Sequence, residues 1–267
     1  MSGAPEIATR YDRNADRYDD VTRHNREAAQ RLVRALPPGE YRSLLDVGCG
    51  TGFATVAMVE RFATTAVTGV DISPQMLERM RAKLAALPQV EAQLHVADVL
   101  AMPVRDAAYA CVLASMALHW FPQRSEAIAA MARKVAPDGV LGLVAPGPGH
   151  DVEYTEVLRT VTPPVPPQVI DVFFTAQVFP DEVEEALVAA GLEPIDVWME
   201  TRRRHVPPER YMARITTVGS HVWTPLMSPV DADALVERVT AAVEAAAGPR
   251  GFEYTFTKTY AIARRPR

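Results

Sequence analysis

An apolar strand that runs directly into a turn with three alternating glycines is the most constraining feature of this chain. Residues 44–47 read LLDV, and Gly48, Gly50 and Gly52 follow at every second position. Glycine has no Cβ and tolerates positive φ, so such a turn lets the backbone reverse while a ligand lies against it. The helical pattern at residues 53–62 would point its free N–H groups at the same place. The segment therefore predicts a strand, a ligand-binding turn and a helix in succession.

Two acidic residues indicate which ligand this turn binds. Asp71 ends the next apolar run, residues 66–70, and a carboxylate at that place can accept two hydrogen bonds from a ribose diol. A dinucleotide fingerprint, G-x-G-x-x-G, would require a third glycine where this chain has Phe53. Asp46, two residues before the first glycine, would repel a diphosphate and suits an ammonium or sulfonium group. The pattern favours a site for a positively charged nucleoside cofactor over a purely structural turn.

At residues 45–52 the sequence resembles the first motif of the class I S-adenosylmethionine-dependent methyltransferases. The resemblance covers about the first 145 residues and is loose after Pro146. It implies S-adenosyl-L-methionine as the cofactor and S-adenosyl-L-homocysteine as the product. The residues predicted to bind the cofactor, from the motif, from their place in the fold and from the resemblance, are Tyr11, Tyr18, Asp46, Gly48, Cys49, Gly50, Gly52, Asp71, Ile72, Met76, Asp98, Val99, Ser115 and Met116.

Several of these positions have a structural alternative. The resemblance places Asp98 at the adenine amino group, with the Val99 backbone alongside, but an acid there can also cap a short helix. Met76 is expected beside the adenine ring, although a methionine at helical spacing more commonly belongs to the core. Tyr11 and Tyr18 lie in a segment that resembles the family's lid, where tyrosines can pack rather than bind.

Residues 115–121, SMALHWF, resemble the segment after the fourth strand in the trans-aconitate and malonyl-carrier-protein O-methyltransferase group. The expected reaction is an in-line SN2 displacement, for which the protein holds an acceptor about 3 Å from the methyl carbon and excludes water. His119 is the candidate general base, although members of the group often have glutamine there and a structural histidine is the alternative. The predicted substrate-binding aromatics, each of which could instead belong to the core, are Trp120, Phe121, Tyr211 and Trp223.

Apolar runs of strand length alternate with helical patterns, which predicts an α/β fold with a doubly wound, mostly parallel sheet. The resemblance implies that this sheet is the seven-stranded sheet of the Rossmann-like methyltransferase fold. Strands are predicted at residues 43–47, 66–70, 92–97, 109–114, 140–145, 192–199 and 252–263, and helices at 23–36, 53–62, 74–87, 125–135, 180–190, 208–217 and 230–247. The resemblance implies that the last strand is antiparallel to its neighbours. The predicted units are an N-terminal helical lid (1–40), a cofactor-binding core (41–145), an irregular Pro-rich connection (146–178), a core helix and strand (179–206), a helical cap inserted before the last strand (207–250) and that strand (251–267).

Composition narrows the partners. The chain has 267 residues, 48% of them hydrophobic, and a formal net charge of −5, which does not indicate nucleic-acid binding. No apolar run approaches the ~18 residues that span a bilayer, and residues 1–20 are too polar for a signal peptide, so a cytoplasmic protein is expected. Cys49 and Cys111 lack the spacing of a metal site, and no acid stands at position 115 or 116, so no metal is expected.

The expected function is methylation of a small organic molecule, with oxygen favoured as the acceptor atom and carbon or nitrogen left open. A carrier-protein-bound substrate and a monomeric or homodimeric state are both compatible with the sequence, whereas nucleic-acid and membrane partners are not expected. Two other functions remain open. One is an enzyme that uses the bound sulfonium for a cyclisation or elimination without methyl transfer, and the other is a non-catalytic cofactor-binding or scaffold protein.

Overall fold

A seven-stranded sheet forms the centre of the protein in the computed structural model, which describes residues 4–219 and 228–267. The strands are β1 (Ser43–Val47), β2 (Ala66–Asp71), β3 (Glu91–Val96), β4 (Tyr109–Ser115), β5 (Val135–Pro146), β6 (Glu193–Val206) and β7 (Phe252–Arg264). Their order is β3-β2-β1-β4-β5-β7-β6, and β7 runs antiparallel to both of its neighbours while the other pairs are parallel. The predicted fold class and the antiparallel last strand are therefore confirmed.

Helices cover both faces of the sheet. They are α1 (Ala4–Val21), α2 (Arg23–Ala35), α3 (Phe53–Phe62), α4 (Pro74–Leu84), α5 (Arg124–Lys134), α6 (Val152–Thr160), α7 (Pro167–Thr175), α8 (Pro180–Ala189), α9 (Pro208–Arg214) and α10 (Pro229–Ala246). Short 3-10 helices lie at Val99–Ala101 and Leu118–Trp120, and a π-helical turn lies at Ile215–Gly219. Within residues 4–219 and 228–267, none of the helices has the length and apolar character needed to cross a bilayer.

Leu44 and Leu45 show how β1 joins two hydrophobic layers. Leu44 belongs to a cluster with side chains of α2, α3 and α4, whereas Leu45 belongs to a cluster with side chains of α5 and α8. Cys111 and Val112 of β4 alternate in the same way. Because side chains alternate along a strand, the central strands are buried on both faces. A third cluster joins β7 to α6, α7, α9 and α10.

The prediction of an irregular connection at residues 146–178 is wrong, because α6 and α7 lie within it. Its prolines stand before α6, between the two helices or, as Pro167, at the first position of α7. Proline is tolerated at that first position because its missing N–H would have no partner inside the helix. Proline content therefore marks helix boundaries here and does not exclude helices.

Other predicted elements differ in length. The helix predicted at 208–217 is shorter, and the π-helical turn takes its last residues. β6 extends to Val206, seven residues beyond the predicted end at Met199, because it pairs with β7 along its whole length. Within the predicted lid, the sequence patterns indicated only the helix that became α2, and the structure adds α1 before it. Polar residues fill α1, so its apolar stripe is too narrow to stand out as a pattern.

β1 is the strand at which the sheet connections change direction, since β2 lies on one side of it and β4 on the other. In open α/β sheets, ligands bind outside the carboxyl ends of the strands at such a switch point. The glycine turn leaves β1 there, and Asp71 and Ser115 end β2 and β4 at the same edge. The fold therefore brings the predicted cofactor residues to one place.

Candidate functional site

A cavity of about 450 Å³ opens at the carboxyl ends of β1, β2, β3 and β4, and this volume lies within the usual range for small-molecule sites. Its walls come from the glycine turn, the segments that follow β2, β3 and β4, and helix α1. The predicted site residues that line it are Tyr11, Tyr18, Asp46, Gly48, Cys49, Gly50, Asp71, Ile72, Met76, Asp98, Val99, Ser115, Met116, Trp120 and Phe121.

Gly50 and Gly52 serve different purposes in the turn. Both have positive φ, +52° and +86° respectively. A Cβ on Gly50 would have no protein atom within 4 Å, so the backbone is open there for a ligand to approach. A Cβ on Gly52 would lie 2.9 Å from Cγ of Met80, so this glycine allows α3 to pack against α4. Gly52 is thus absent from the cavity lining, although the sequence pattern predicted it as a cofactor residue.

Asp71 bridges two loops beneath the cavity. Its Oδ2 accepts a hydrogen bond from the backbone N–H of Gly50 at 2.8 Å, and its Oδ1 accepts one from the N–H of Ser73 at 2.9 Å. Burial raises the pKa of the Asp71 carboxyl, while these backbone donors oppose the rise. A carboxylate has about four acceptor positions, so two remain for the hydroxyls of a ligand.

Asp46 places a buried carboxylate at the other side of the turn. It is 1% exposed, and its Oδ2 accepts a hydrogen bond from Oγ1 of Thr55 at 2.7 Å. Its Oδ1 has no hydrogen-bond partner within the part of the chain that the structure describes. Burial raises the pKa of this carboxyl to about 7. A buried acceptor without a donor suits a positively charged ligand, and together with the open backbone at Gly50 it fits S-adenosyl-L-methionine.

Asp98 caps a short helix and also lines the cavity. Its Oδ1 accepts a hydrogen bond from the N–H of Leu100 at 2.8 Å and caps the 3-10 helix after β3. The residue also lines the cavity, next to Val99. Met76 lines the same region and is packed in the core, where its own N–H donates to Oγ of Ser73 at 3.1 Å. A capping or core position therefore does not exclude a residue from the ligand site.

Helix α1 closes one side of the cavity with Tyr11 and Tyr18. Two of its acids hold it to the cofactor loops: Oδ1 of Asp12 accepts from Oγ of Ser73 at 2.6 Å, and Oδ1 of Asp19 accepts from Oγ1 of Thr51 at 2.6 Å. Burial raises the pKa of Tyr18 to about 12, so its phenol stays protonated. Helix α1 is thus attached to the loops that carry Gly50 and Asp71.

The predicted catalytic and substrate residues are distributed more widely. Trp120 and Phe121 line the cavity, but His119 does not; it is 7% exposed and packs against the Trp120 ring with a centroid distance of 4.7 Å. Tyr211 lies in the third hydrophobic cluster, where its hydroxyl donates to Oδ1 of Asp151 at 3.2 Å. Trp223 lies outside the described residues.

Sequence patterns missed several residues that line the cavity. Those outside the cofactor motif and its neighbouring loops are Ile7, Asn25, Pro122 and Gln123. One available signal was the spacing of Ile7, Tyr11 and Tyr18, because residues four and eleven apart share one face of a helix. Asn25 gave no such signal, since α2 approaches the cavity only in the folded protein.

Comparison with known proteins finds similarity to methyltransferases. Residues 44–139 match the methyltransferase domain family. A malonyl-[acyl-carrier protein] O-methyltransferase of Halorhodospira halophila is 34% identical over 52% of this chain and 47% of its own length, and one of Dechloromonas aromatica is 27% identical over 97% and 94%. A trans-aconitate 2-methyltransferase of Methylobacterium nodulans is 27% identical over 91% of this chain and 93% of its own length.

Solved structures share the fold. A Haemonchus contortus phosphoethanolamine N-methyltransferase, solved with S-adenosylhomocysteine, superimposes with a TM-score of 0.59 at 16% identity and covers 96% of this chain and 58% of its own. The order of the strands, together with the glycine turn and the acids at the ends of β1 and β2, is typical of a nucleoside-binding α/β protein. With the domain match, they identify residues 44–139 as a methyltransferase domain of the S-adenosylmethionine-dependent type.

We expect Gly50→Val to abolish cofactor binding while the fold survives, because the new side chain would project into the space left open at the turn. Calorimetric titration with S-adenosyl-L-homocysteine measures the effect. Gly191→Val is the matched control, since Gly191 has a φ of +77° and equally open surroundings but lies after α8, away from the cavity. Normal binding by the Gly50 variant would refute the close approach of the ligand to this backbone.

Asp46→Asn should make the ligand-free protein more stable than the wild type at neutral pH. The pKa of Asp46 is about 7 in the folded protein and about 4 in an unfolded chain. Its contribution to stability is therefore fully present below about pH 4 and is lost as the pH rises through about 7. Urea unfolding between pH 4 and 8 should show the variant gaining roughly 1–3 kcal/mol on the wild type across this range. Parallel pH profiles would contradict the burial of an ionisable Asp46.

Proposed function

We propose that this methyltransferase transfers a methyl group to a carboxylate oxygen of a small organic acid. The observation that carries the proposal is a continuous cavity that extends from the nucleoside-binding turn to the aromatic wall of Trp120 and Phe121 after β4. The acceptor chemistry is supported by the relatives, whose names specify malonyl-[acyl-carrier protein] and trans-aconitate, because both compounds carry carboxylates. When bound, S-adenosyl-L-methionine supplies an electrophilic methyl group on a sulfonium.

The chain's own residues provide binding, orientation and exclusion of water. Asp71 and the open backbone at Gly50 hold the nucleoside, and the Asp46 carboxylate favours the positively charged end of the cofactor. Tyr11, Trp120 and Phe121 provide apolar walls that exclude water from the reacting groups. A carboxylate is already ionised at neutral pH, so it can act as the nucleophile without a general base.

A carrier-protein-bound acceptor is a narrower form of the same proposal, supported by the names of the malonyl relatives. A cyclisation or elimination at an intact sulfonium, and cofactor binding without catalysis, are the competing functions. Both leave the cofactor unchanged, unlike methyl transfer, and they differ from each other in whether the acceptor is converted.

Incubation with methyl-labelled S-adenosyl-L-methionine and a panel of acceptors should yield a labelled methyl ester from an acid such as trans-aconitate or a malonyl thioester. Phenols and amines of similar size should remain unlabelled, and Gly50→Val is the inactive control. Consumption of an acceptor with unchanged cofactor would favour the non-transfer reaction, and labelling of a phenol or amine would overturn the carboxylate assignment.

His119→Gln should retain most of the methylation rate with a carboxylate acceptor. The imidazole does not line the cavity, and an ionised acceptor has no proton to remove. Glutamine keeps a hydrogen-bonding side chain, so packing against Trp120 is largely preserved. Single-turnover kinetics measure the effect. A loss of about 100-fold or more, with unchanged cofactor affinity, would instead support the general-base role predicted from the sequence.

A further inference from the structure

A buried lysine without a hydrogen-bond partner stands on β7, two strands from β4, whose end lines the cofactor cavity. Lys258 on β7 is 3% exposed, and its Nζ has no hydrogen-bond partner among residues 4–219 and 228–267. The remaining residues, 1–3 and 220–227, contain no Asp or Glu, so they cannot supply a carboxylate side chain either. A buried ammonium that lacks a counter-ion destabilises a protein.

Asp151, whose charge acts on Lys258, and Glu200, its neighbour on β6, already have other partners. Asp151 receives two hydrogen bonds from Nη2 of Arg214, at 2.8 and 2.9 Å, and that arginine's own Nε has no partner within the described chain. Glu200 stands opposite Lys258 on β6 and pairs with Arg31 and Arg202. One negative charge at Asp151 is therefore shared by two buried cations, and the group carries an excess positive charge.

Neutral aromatic rings make up the rest of the environment of Lys258. Nζ of Lys258 lies 4.2 Å from the centre of the Phe256 ring, and the rings of His24 and His150 lie 4.4 and 4.6 Å from the same ring. Burial, and then the neighbouring cations, lower the pKa of both histidines, so both rings favour the neutral form and neither can act as a counter-ion. Burial also lowers the pKa of Lys258, and a bound anion would oppose that change because it favours the ammonium form.

Two segments of the structure, helix α2 and the neighbouring strands β4 and β5, link these residues to the cofactor cavity. On α2, His24 contacts Phe256 while the next residue, Asn25, lines the cavity. Lys258 also pairs with Pro146 at the carboxyl end of β5, directly beside β4, and Ser115 at the end of β4 lines the cavity. Lys258 itself does not line the cavity, so a group bound at its Nζ would be separate from the group that receives the methyl.

We propose that Lys258, beside the Arg214–Asp151 pair, binds a second anionic group of the acceptor, so that the substrate is a free di- or tricarboxylate. This inference rests on the proposed function and narrows it. One carboxylate receives the methyl group in the cavity, and another supplies the negative charge that Lys258 lacks. An acceptor with a single carboxylate, such as a carrier-bound malonyl group, would leave that lysine unpaired.

The test compares wild-type protein with Lys258→Met, which keeps the length of the side chain and removes the charge. Both are saturated with S-adenosyl-L-homocysteine and titrated calorimetrically with trans-aconitate, succinate and the monocarboxylate crotonate. We expect Lys258→Met to weaken binding of the better polycarboxylate about 30-fold or more and to leave the affinity for crotonate unchanged. Lys134→Met is the matched control. This other buried lysine is 9% exposed and binds Asp106, and it directly precedes β5, at the end of the sheet opposite to the cofactor cavity.

Thermal unfolding of the ligand-free proteins separates binding from a structural role. Lys258→Met should melt roughly 2–4 °C higher than the wild type, because it removes a buried cation without a counter-ion, whereas Lys134→Met should melt lower. Unchanged polycarboxylate affinity in Lys258→Met, a lower melting temperature, or no polycarboxylate binding by the wild type would each overturn the inference. Methyl transfer is assayed on the same samples: labelling of crotonate but not of the polycarboxylates would leave the proposed function intact and reject only the anion subsite.

Discussion

The carboxylate of Asp71 is the contact on which the rest of the site depends. It joins the glycine turn after β1 to the loop after β2 through the N–H groups of Gly50 and Ser73. Helix α1 is then attached to the same two loops through Asp19 and Asp12. One buried carboxylate therefore joins the two loops to which helix α1 is attached, and it keeps acceptor positions that these bonds do not use.

Two buried charges of opposite sign mark the two ends of the proposed reaction. Asp46, with one oxygen lacking a hydrogen-bond donor in the described chain, suits a cationic cofactor, and Lys258, with no carboxylate of its own, suits an anionic acceptor. Each is costly in the empty protein and becomes favourable when its ligand binds. Asp46 and Lys258 thus destabilise the empty protein, and they are the groups that would distinguish the cofactor from the acceptor. Such a loss of stability at groups that bind ligands is common in proteins.

The sheet separates the strands that carry the predicted cofactor residues from the helices that pack around β7. Strands β1 to β5 form the parallel part and hold the nucleoside at their carboxyl ends, whereas α6, α7, α9 and α10 pack on the extended antiparallel end of β7. Trp120 lines the cavity and also packs against this second region. Changes in the helices around β7 can therefore alter the acceptor pocket without disturbing the cofactor loops.

Local patterns in the sequence determined the strands, the glycine turn and the acids at the ends of β1 and β2. Short apolar runs, glycines and short-range spacing carry that information within a few residues. The same logic found Trp120 and Phe121, since they follow a recognisable strand. It failed for residues 146–178, where prolines at helix boundaries concealed α6 and α7.

Only the tertiary structure decided which distant residues meet. Gly52 looked like a ligand contact but faces Met80, because the packing of α3 on α4 depends on a side chain 28 positions away. His119 follows β4 as predicted, yet the turn of its 3-10 helix directs Trp120, not the histidine, into the cavity. The grouping of His24, Asp151, Arg214 and Lys258 has no local signature, because α2, α6, α9 and β7 are brought together by long-range packing and by antiparallel pairing that no short window of sequence encodes.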